Sequence, residues 1–374
     1  VGLNDKTLNG RDSLSPIRQD EQQKSFSTVI FGPLWKDSTS FDFTLDFADS
    51  FSTKNIVAVL PTGTFTNTLR TSSKNLSIGG KIKHNLSQYQ SLNLSYFYSS
   101  NKDKNLGIGG FDLPSRAYER NSSSHRGRYS QTGNVGEKHF NEFRFQFTQE
   151  TTENVSQNRE PTIRVLGAFT DGGAGNDSSE NKTSIMIADN FLFGVKNHAL
   201  KVGAIFEYER QNQSSQQNIN GTFTFSSIND FLQNRPATFV QRPGEKKIEL
   251  SQFQIGGFIQ DDIRLKNNLL VSFGLRYELQ NNIRDLNNFS PRVGVSWSPF
   301  KDGSLAIRGG AGLFYNWVDS DLLLNIKSQN KDQTGEITII NPTFPDVSSK
   351  GISQTLPNSF LKKDGNLKNP FVFI

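Results

Sequence analysis

The residues of this 374-residue chain that could take part in chemistry are charged side chains that recur at every second position within short segments. Arg276 and Glu278 form one such pair, and Glu142 and Arg144 form another. Side chains that are two positions apart in an extended strand point to the same side of a sheet. Such a surface could steer a charged solute. The candidates are Glu142, Arg144, Arg164, Glu207, Arg276, Glu278, Arg292 and Arg308.

Residue sets typical of catalysis or metal binding are missing from the sequence. The chain has no cysteine, which excludes disulfides, thiolate metal sites and cysteine nucleophiles. The four histidines, His84, His125, His139 and His198, are scattered, and none pairs with another at metal-ligand spacing. We therefore expect no enzyme activity, no metal and no cofactor.

The composition narrows the class of protein further. Aromatic residues make up 11% of the chain, which argues against disorder. The formal net charge of +5 is spread evenly along the chain, so nucleic-acid binding is not expected. No window approaches the roughly 18 consecutive apolar residues that a transmembrane helix needs.

Apolar and polar residues alternate strictly along many segments, which predicts β-strands rather than helices. In one segment Val271, Phe273 and Leu275 share a face, and Gly274 and Arg276 share the other. Most of these segments have 10–14 residues, and a tilted strand that crosses a bilayer needs roughly 9–11. We predict about twelve strands, at 25–34, 39–50, 74–84, 90–100, 137–150, 161–170, 183–193, 199–210, 248–264, 268–280, 288–298 and 304–316.

Short and long connections alternate between these strands. The short ones resemble each other, since Lys followed by Asp or Asn stands at Lys36, Lys196, Lys266 and Lys301. Bacterial outer-membrane barrels have tight periplasmic turns and longer extracellular loops, and the sequence shows the same asymmetry. The predicted long polar loops are 51–73, 101–136, 171–182, 211–247 and 317–374.

These patterns favour an all-β, antiparallel transmembrane β-barrel. In lipid every backbone polar group must be paired within the protein, and a closed barrel with its apolar band outward meets that requirement. A polar lumen then accounts for the mean hydropathy of −0.54. A secreted, soluble β-rich protein for adhesion or carbohydrate binding is the alternative.

In a barrel, alternation turns the charged candidates toward the lumen. Large barrels commonly carry both signs of charge there, paired with one another or with a plug, and this is the first interpretation of the set. A role in steering a solute is the second.

Two further features belong to the loops and rims. Residues 226–233 begin at a serine that suits a helix N-cap and end shortly before Pro236, which predicts one short loop helix. The aromatic residues Trp35, Tyr277, Trp297 and Trp317 suit the girdles at the two membrane interfaces.

Several strings resemble TonB-dependent outer-membrane receptors of the Oar-like subgroup, in which a carboxypeptidase-regulatory-like domain precedes the plug. Phe-Gly-Pro-Leu at 31–34 and Lys-Asp-Ser-Thr-Ser-Phe-Asp-Phe at 36–43 resemble one hairpin of these receptors. Residues 258–264 with 275–278, and residues 288–294 with 307–315, resemble later strand pairs. The similarity extends over roughly residues 25–317.

The resemblance implies a barrel of about 22 strands, of which this chain supplies the N-terminal half. We expect residues 1–24 to connect from a plug or a first strand, residues 25–316 to form barrel strands with their loops, and residues 317–374 to belong to a long, truncated extracellular loop. A complete twelve-stranded, porin-like barrel is the second possibility.

The resemblance also implies a function and its partners. It predicts energy-coupled import of a bulky polar solute across the bacterial outer membrane. The implied partners are outer-membrane lipid, a plug domain and an inner-membrane energy-transducing complex. The alternatives are a passive porin-like channel and the secreted binding protein named above.

Overall fold

The computed structural model describes residues 1–5, 7, 20–300, 304–328, 335–347, 352–355 and 362–374. The described part is almost entirely β-structure. In chain order the strands are β1 (Gly2–Asp5), β2 (Gln22–Trp35), β3 (Thr39–Leu60), β4 (Gly63–Ser87), β5 (Gln90–Leu106), β6 (Tyr118–Val135), β7 (His139–Ser156), β8 (Thr162–Val165), β9 (Phe169–Asp171), β10 (Ser178–Val195), β11 (His198–Ser215), β12 (Thr222–Phe225), β13 (Thr238–Gln241), β14 (Lys246–Lys266), β15 (Leu269–Gln280), β16 (Phe289–Trp297), β17 (Ile307–Tyr315), β18 (Ile337–Ile340), β19 (Ile352–Thr355) and β20 (Phe371–Phe373).

Three short helical segments accompany the strands: a 3-10 turn at Pro114–Arg116, α1 at Ile228–Leu232 and α2 at Ser320–Ser328. The predicted loop helix is confirmed as α1, and its Ser227 caps the helix by accepting a hydrogen bond from the Asp230 N–H at 3.1 Å. The second helix, α2, was not predicted. None of the helices in the described ranges has the length and apolarity to cross a membrane.

Fourteen strands form one antiparallel sheet, which we call the wall. Its order is β1-β2-β3-β4-β5-β6-β7-β10-β11-β14-β15-β16-β17-β20. Each strand pairs with its neighbours in the order of the chain, as in an up-and-down barrel. The prediction of an all-β antiparallel fold is therefore confirmed.

The two faces of the wall differ in chemistry because side chains alternate along each strand. One face, the apolar face, carries exposed residues such as Phe273, Leu275 and Ile259. The opposite face, the polar face, carries Arg276, which lies opposite Phe258 on β14 and Ser290 on β16. The alternation in the sequence assigned these faces correctly.

Within residues 25–316 the list of wall strands needs one exchange, and the short β1 and β20 outside that range were not predicted. Residues 161–170 do not cross as a wall strand, and instead form the short β8 and β9 outside the wall. Residues 101–136, predicted as a loop, contain β6, an 18-residue strand paired with both β5 and β7. Its sequence hid it, because the apolar-face positions of β6 include Asn121, His125 and Gly127.

The predicted loop at 51–73 is also wrong. β3 and β4 have 22 and 25 residues and meet at a two-residue turn, Pro61-Thr62. A strand needs only about 9–11 residues to cross a bilayer, so this hairpin extends well beyond one. Threonine is frequent in this segment and favours strands although it is polar, which explains the error.

With β6 in place, the short connections lie at one end of the wall, apart from the Pro61-Thr62 turn at the tip of the β3–β4 hairpin. The predicted Lys-containing turns at 36–37 and 196–197 are confirmed, and Asp37 and Lys196 adopt φ values of 65° and 55°. The third predicted turn, at Lys266-Asn267, also joins two wall strands. The fourth, Lys301-Asp302, lies outside the described residues. A further turn at 136–138 joins β6 to β7.

The segments at the other end of the wall form a second sheet with the order β19-β18-β13-β12-β8-β9, which we call the outer sheet. Its core is rich in phenylalanine: the rings of Phe223 and Phe239 lie 4.5 Å apart, and Phe231 of α1 meets Phe225 edge-on at 5.2 Å. A Cβ on Gly221, where φ is +81°, would lie 2.1 Å from the Phe239 ring, so glycine is required there. Because Phe231 packs in this core, the loop helix α1 has a packing role.

The hairpin of β3 and β4 reaches into this core. Ile56 and Ala58 are fully buried in it. The Val57 N–H donates to the Gly110 carbonyl at 2.8 Å, and the Val59 N–H donates to the Ala168 carbonyl at 3.1 Å. The outer sheet is therefore attached to the wall by main-chain hydrogen bonds as well as by packing.

Arg116 fastens the glycine-rich turn that follows β9. Its guanidinium donates to Thr162 Oγ1 at 2.8 Å and to the Gly173 carbonyl. Burial lowers the pKa of Arg116, and the nearby carboxylates of Asp112 and Asp171 oppose that shift. The arginine therefore serves the packing of this turn.

The two faces of the wall predict opposite responses to one substitution. Ile259→Arg places a charge on the apolar face, and we expect it to destabilise the folded protein in lipid by about 2 kcal/mol or more. Gln260→Arg is the matched control on the polar face, where Gln260 already donates to Asp262 at 2.9 Å. Urea titration in lipid vesicles, followed by heat-modifiable gel mobility, measures the free energy of unfolding of both variants. Equal losses in the two variants would contradict the assignment of faces.

Candidate ligand-binding face of the lumen

The polar face carries all but one of the charged side chains that the sequence singled out, the exception being Arg164. On β7, Arg144 Nε lies 3.7 Å from Glu142 Oε1. On β15, Arg276 Nε donates to Glu278 Oε1 at 2.7 Å, and Glu278 is buried. Both pairs consist of residues two positions apart in one strand. The structure therefore pairs these charges with each other.

The other candidates are placed separately. Arg292 on β16 lies over the ring of Phe314, 4.3 Å from its centroid. Arg308 on β17 is exposed on the same face, and Glu207 on β11 is half-buried. These three residues form no ion pair within the described part of the chain.

Arg164 was predicted to face the lumen from a wall strand, and that is wrong. It lies on β8 in the outer sheet, opposite Thr224 and Thr170, and its side chain is exposed. The prediction failed because apolar alternation continues through residues 162–165, although this four-residue segment is too short to be a wall strand.

The sequence did not predict that part of residues 317–374 folds back onto the polar face. We call residues 317–328 the inner segment. The Val318 N–H donates to Gln280 Oε1 at 2.8 Å, and the Val318 carbonyl accepts from Gln252 Nε2 at 3.0 Å. Both glutamines are buried side chains of the wall. The same 317–374 region also contains β20, which pairs with β17.

A charged network holds the start of α2. Lys182 Nζ lies 3.2 Å from Glu209 Oε2 and 3.6 Å from Asp321 Oδ1. Gln211 donates to Asp321 at 2.8 Å, and Ser320 donates its hydroxyl hydrogen to Glu209. One cation is thus shared by two carboxylates, and one of these comes from the wall and the other from the inner segment.

Apolar contacts complete the attachment. Leu323 and Leu324 of α2 are buried against Ile248 and Leu250 of β14. Ile248 and Leu250 share the polar face with Gln252 and are apolar exceptions on it. These two exceptions to the alternation are the feature of the sequence that indicates packing of another segment on this part of β14.

Trp317 belongs to this inner segment and not to an interfacial girdle, which corrects one of the four aromatic predictions. Trp35 and Trp297 lie at the ends of β2 and β16 nearest the short turns, and both are exposed. Tyr277 packs on Phe289, with ring centroids 4.7 Å apart, and its hydroxyl donates to the Leu286 carbonyl.

Among the residues that the structure describes, no group of three or more His, Asp or Glu is arranged to hold a metal ion. The polar face presents charges of both signs and side-chain amides.

Comparison with known proteins identifies the wall. A family model for the outer membrane beta-barrel domain matches residues 43–288 and 284–372. Among solved structures, the outer membrane transporter YddB from Escherichia coli matches 94% of this chain at 14% identity, with a TM-score of 0.65. No curated protein sequence matches the chain significantly.

Two receptors are similar to this chain at lower TM-scores. A variant of the ferric enterobactin receptor PfeA from Pseudomonas aeruginosa matches 84% of this chain and 43% of its own, at 14% identity and a TM-score of 0.48. The ferric-catecholate import receptor Fiu from Escherichia coli K12 matches 90% and 53%, at 11% identity and a TM-score of 0.45. The chain spans 43% of the length of YddB, and at such identities the similarity concerns the fold.

The network around Lys182 predicts how firmly the inner segment is held. Lys182→Met removes the cation shared by Glu209 and Asp321. We expect the free energy of opening the inner segment to fall by about 1 kcal/mol, which corresponds to roughly fivefold faster hydrogen exchange. Hydrogen exchange of residues 317–328 in the complete protein measures this.

The matched control is Lys74→Met, which removes a cation from an exposed pair with Asp49 at 3.4 Å. Exposed pairs of this kind contribute little. Unchanged exchange in Lys182→Met, or an equal change in both variants, would contradict the role of the network.

Proposed function

Because this chain belongs to the outer membrane beta-barrel domain family, we propose that it forms part of a receptor that imports a bulky polar solute across the bacterial outer membrane by energy-coupled transport. The observation that carries the proposal is the polar face, where charges of both signs and buried glutamines line the interior of a family-matched wall. A lumen of this kind offers a solute many hydrogen-bonding partners.

The proposal extends to the partners that the Oar-like resemblance implies. A plug domain would fill the lumen, and an inner-membrane energy-transducing complex would act on that plug. The paired charges of the polar face support this arrangement, because a lumen filled by another polypeptide needs its charges satisfied. Outer-membrane lipid covers the apolar face.

A passive porin-like channel is the second candidate, and one observation favours it. The inner segment lies on the polar face, as a constriction loop does in a passive pore. The secreted, soluble alternative is set aside because the family is one of outer-membrane barrels.

Deleting residues 317–328 from the complete protein separates the two candidates. In a plugged receptor the deletion leaves planar lipid bilayers without steady conductance, because the plug still fills the lumen. In a passive pore it widens the channel, so conductance rises. Heat-modifiable gel mobility of the deletion variant shows whether the barrel has folded.

Energy coupling has its own measurement. Formaldehyde cross-linking in cells should join the complete receptor to the inner-membrane complex. Steady conductance of the unaltered protein together with no cross-link would overturn the proposed function in favour of the passive channel.

A further inference from the structure

A pocket of about 400 Å³ lies between the inner segment and the polar face of β10, β11 and β14. Three carboxylates line it, those of Glu207, Glu209 and Asp319, and none of the described residues that line it is basic. In the strand register, Glu207 lies opposite Gln254 and Glu209 lies opposite Gln252. The pocket therefore joins acidic groups and amides on one patch of the wall.

The cations nearest to this patch are already paired. Lys182 is shared by Glu209 and Asp321, and Arg276 is held by Glu278. Glu207 accepts no hydrogen bond from any residue that the structure describes. The pocket is consequently negative, with one carboxylate available to a ligand, and such a field attracts cationic groups.

Two buried polar atoms at the pocket also have no partner within the described part of the chain, and this observation is independent of the acidic residues. Gln252 is 3% exposed, and its Nε2 donates to the Val318 carbonyl, yet its Oε1 accepts nothing. The indole Nε1–H of Trp317 likewise has no acceptor. Buried polar atoms are nearly always hydrogen-bonded, so a bound molecule is a natural partner for both.

We propose that this pocket binds a protonated amine of the imported solute, next to a hydroxyl or carbonyl group. The ammonium group donates to the Glu207 carboxylate and to Gln252 Oε1, and it lies near an indole ring, which also attracts cations. The Trp317 N–H donates to the neighbouring hydroxyl or carbonyl oxygen. The inference deepens the proposed function, since it specifies the chemistry of the solute.

A neutral solute fits this pocket less well. The N–H of Gln252 and the hydroxyl of Ser320 are already committed, to Val318 and Glu209. The groups left over are mostly acceptors, and a neutral ligand would supply fewer donors to the Glu207 carboxylate than an ammonium group does. An anionic solute would be repelled by the three carboxylates.

The inference is tested by measuring binding to the complete receptor in detergent, where no energy source is present. Because this measurement does not depend on coupled import, a failure of the inference is distinguishable from a failure of the proposed function. The probes are the tetramer of glucosamine, which carries protonated amines, and the tetramer of N-acetylglucosamine, which has the same backbone without the charge. Isothermal titration calorimetry should show about tenfold tighter binding of the amine probe.

Glu207→Gln should abolish this preference, whereas Glu150→Gln, a control on the same face outside the pocket, should retain it. Raising the salt concentration from about 50 to about 500 mM should weaken binding of the amine probe to the unaltered receptor, which needs no variant. Equal affinity for both probes, binding of neither, or a preference that survives in Glu207→Gln would overturn the inference.

Discussion

The whole architecture depends on one constraint, which is that no backbone N–H or carbonyl group can be left unpaired in lipid. From β5 to β11 the wall meets it by pairing each strand with both neighbours along nearly its full length, as the 18-residue ladder between β10 and β11 shows. This is also why β6 exists as a strand. Its side chains carry little apolar signal, but β5 and β7 each need a partner at their facing edges.

Once the backbone groups are hydrogen-bonded, a second constraint acts on the side chains of the polar face, which is that buried charges need a partner of opposite charge. Arg276 with Glu278 and Lys182 with two carboxylates show that the wall and the inner segment solve this together. The two apolar exceptions on β14, Ile248 and Leu250, receive the leucines of α2. The inner segment is therefore part of the folded wall, and the acidic pocket beside it exists only because both contribute.

Period-two alternation predicted the fold class, the two faces and most wall strands, because lipid on one side and a polar lumen on the other impose it directly. It failed where that contrast is lost. The tips of β3 and β4 extend beyond a bilayer, β6 has a polar outward face, and the alternating residues 162–165 belong to the outer sheet. Of the candidate site, alternation placed Glu207 and Arg276 on the polar face. The partners Lys182, Gln211 and Asp321 depend on a return of the chain that no local pattern encodes.

The long hairpin of β3 and β4 has a mechanical consequence. Each of the 22 residues of β3 has a partner on β4, and the tip of the hairpin is fixed inside the phenylalanine core of the outer sheet. A pull on the outer sheet, directed away from the wall, would run parallel to these strands. Both strands of the hairpin would be pulled together, so the ladders that join them to β2 and β5 would be loaded in shear, with many hydrogen bonds sharing the force. The hairpin thus gives a force on the outer sheet a direct path into the wall.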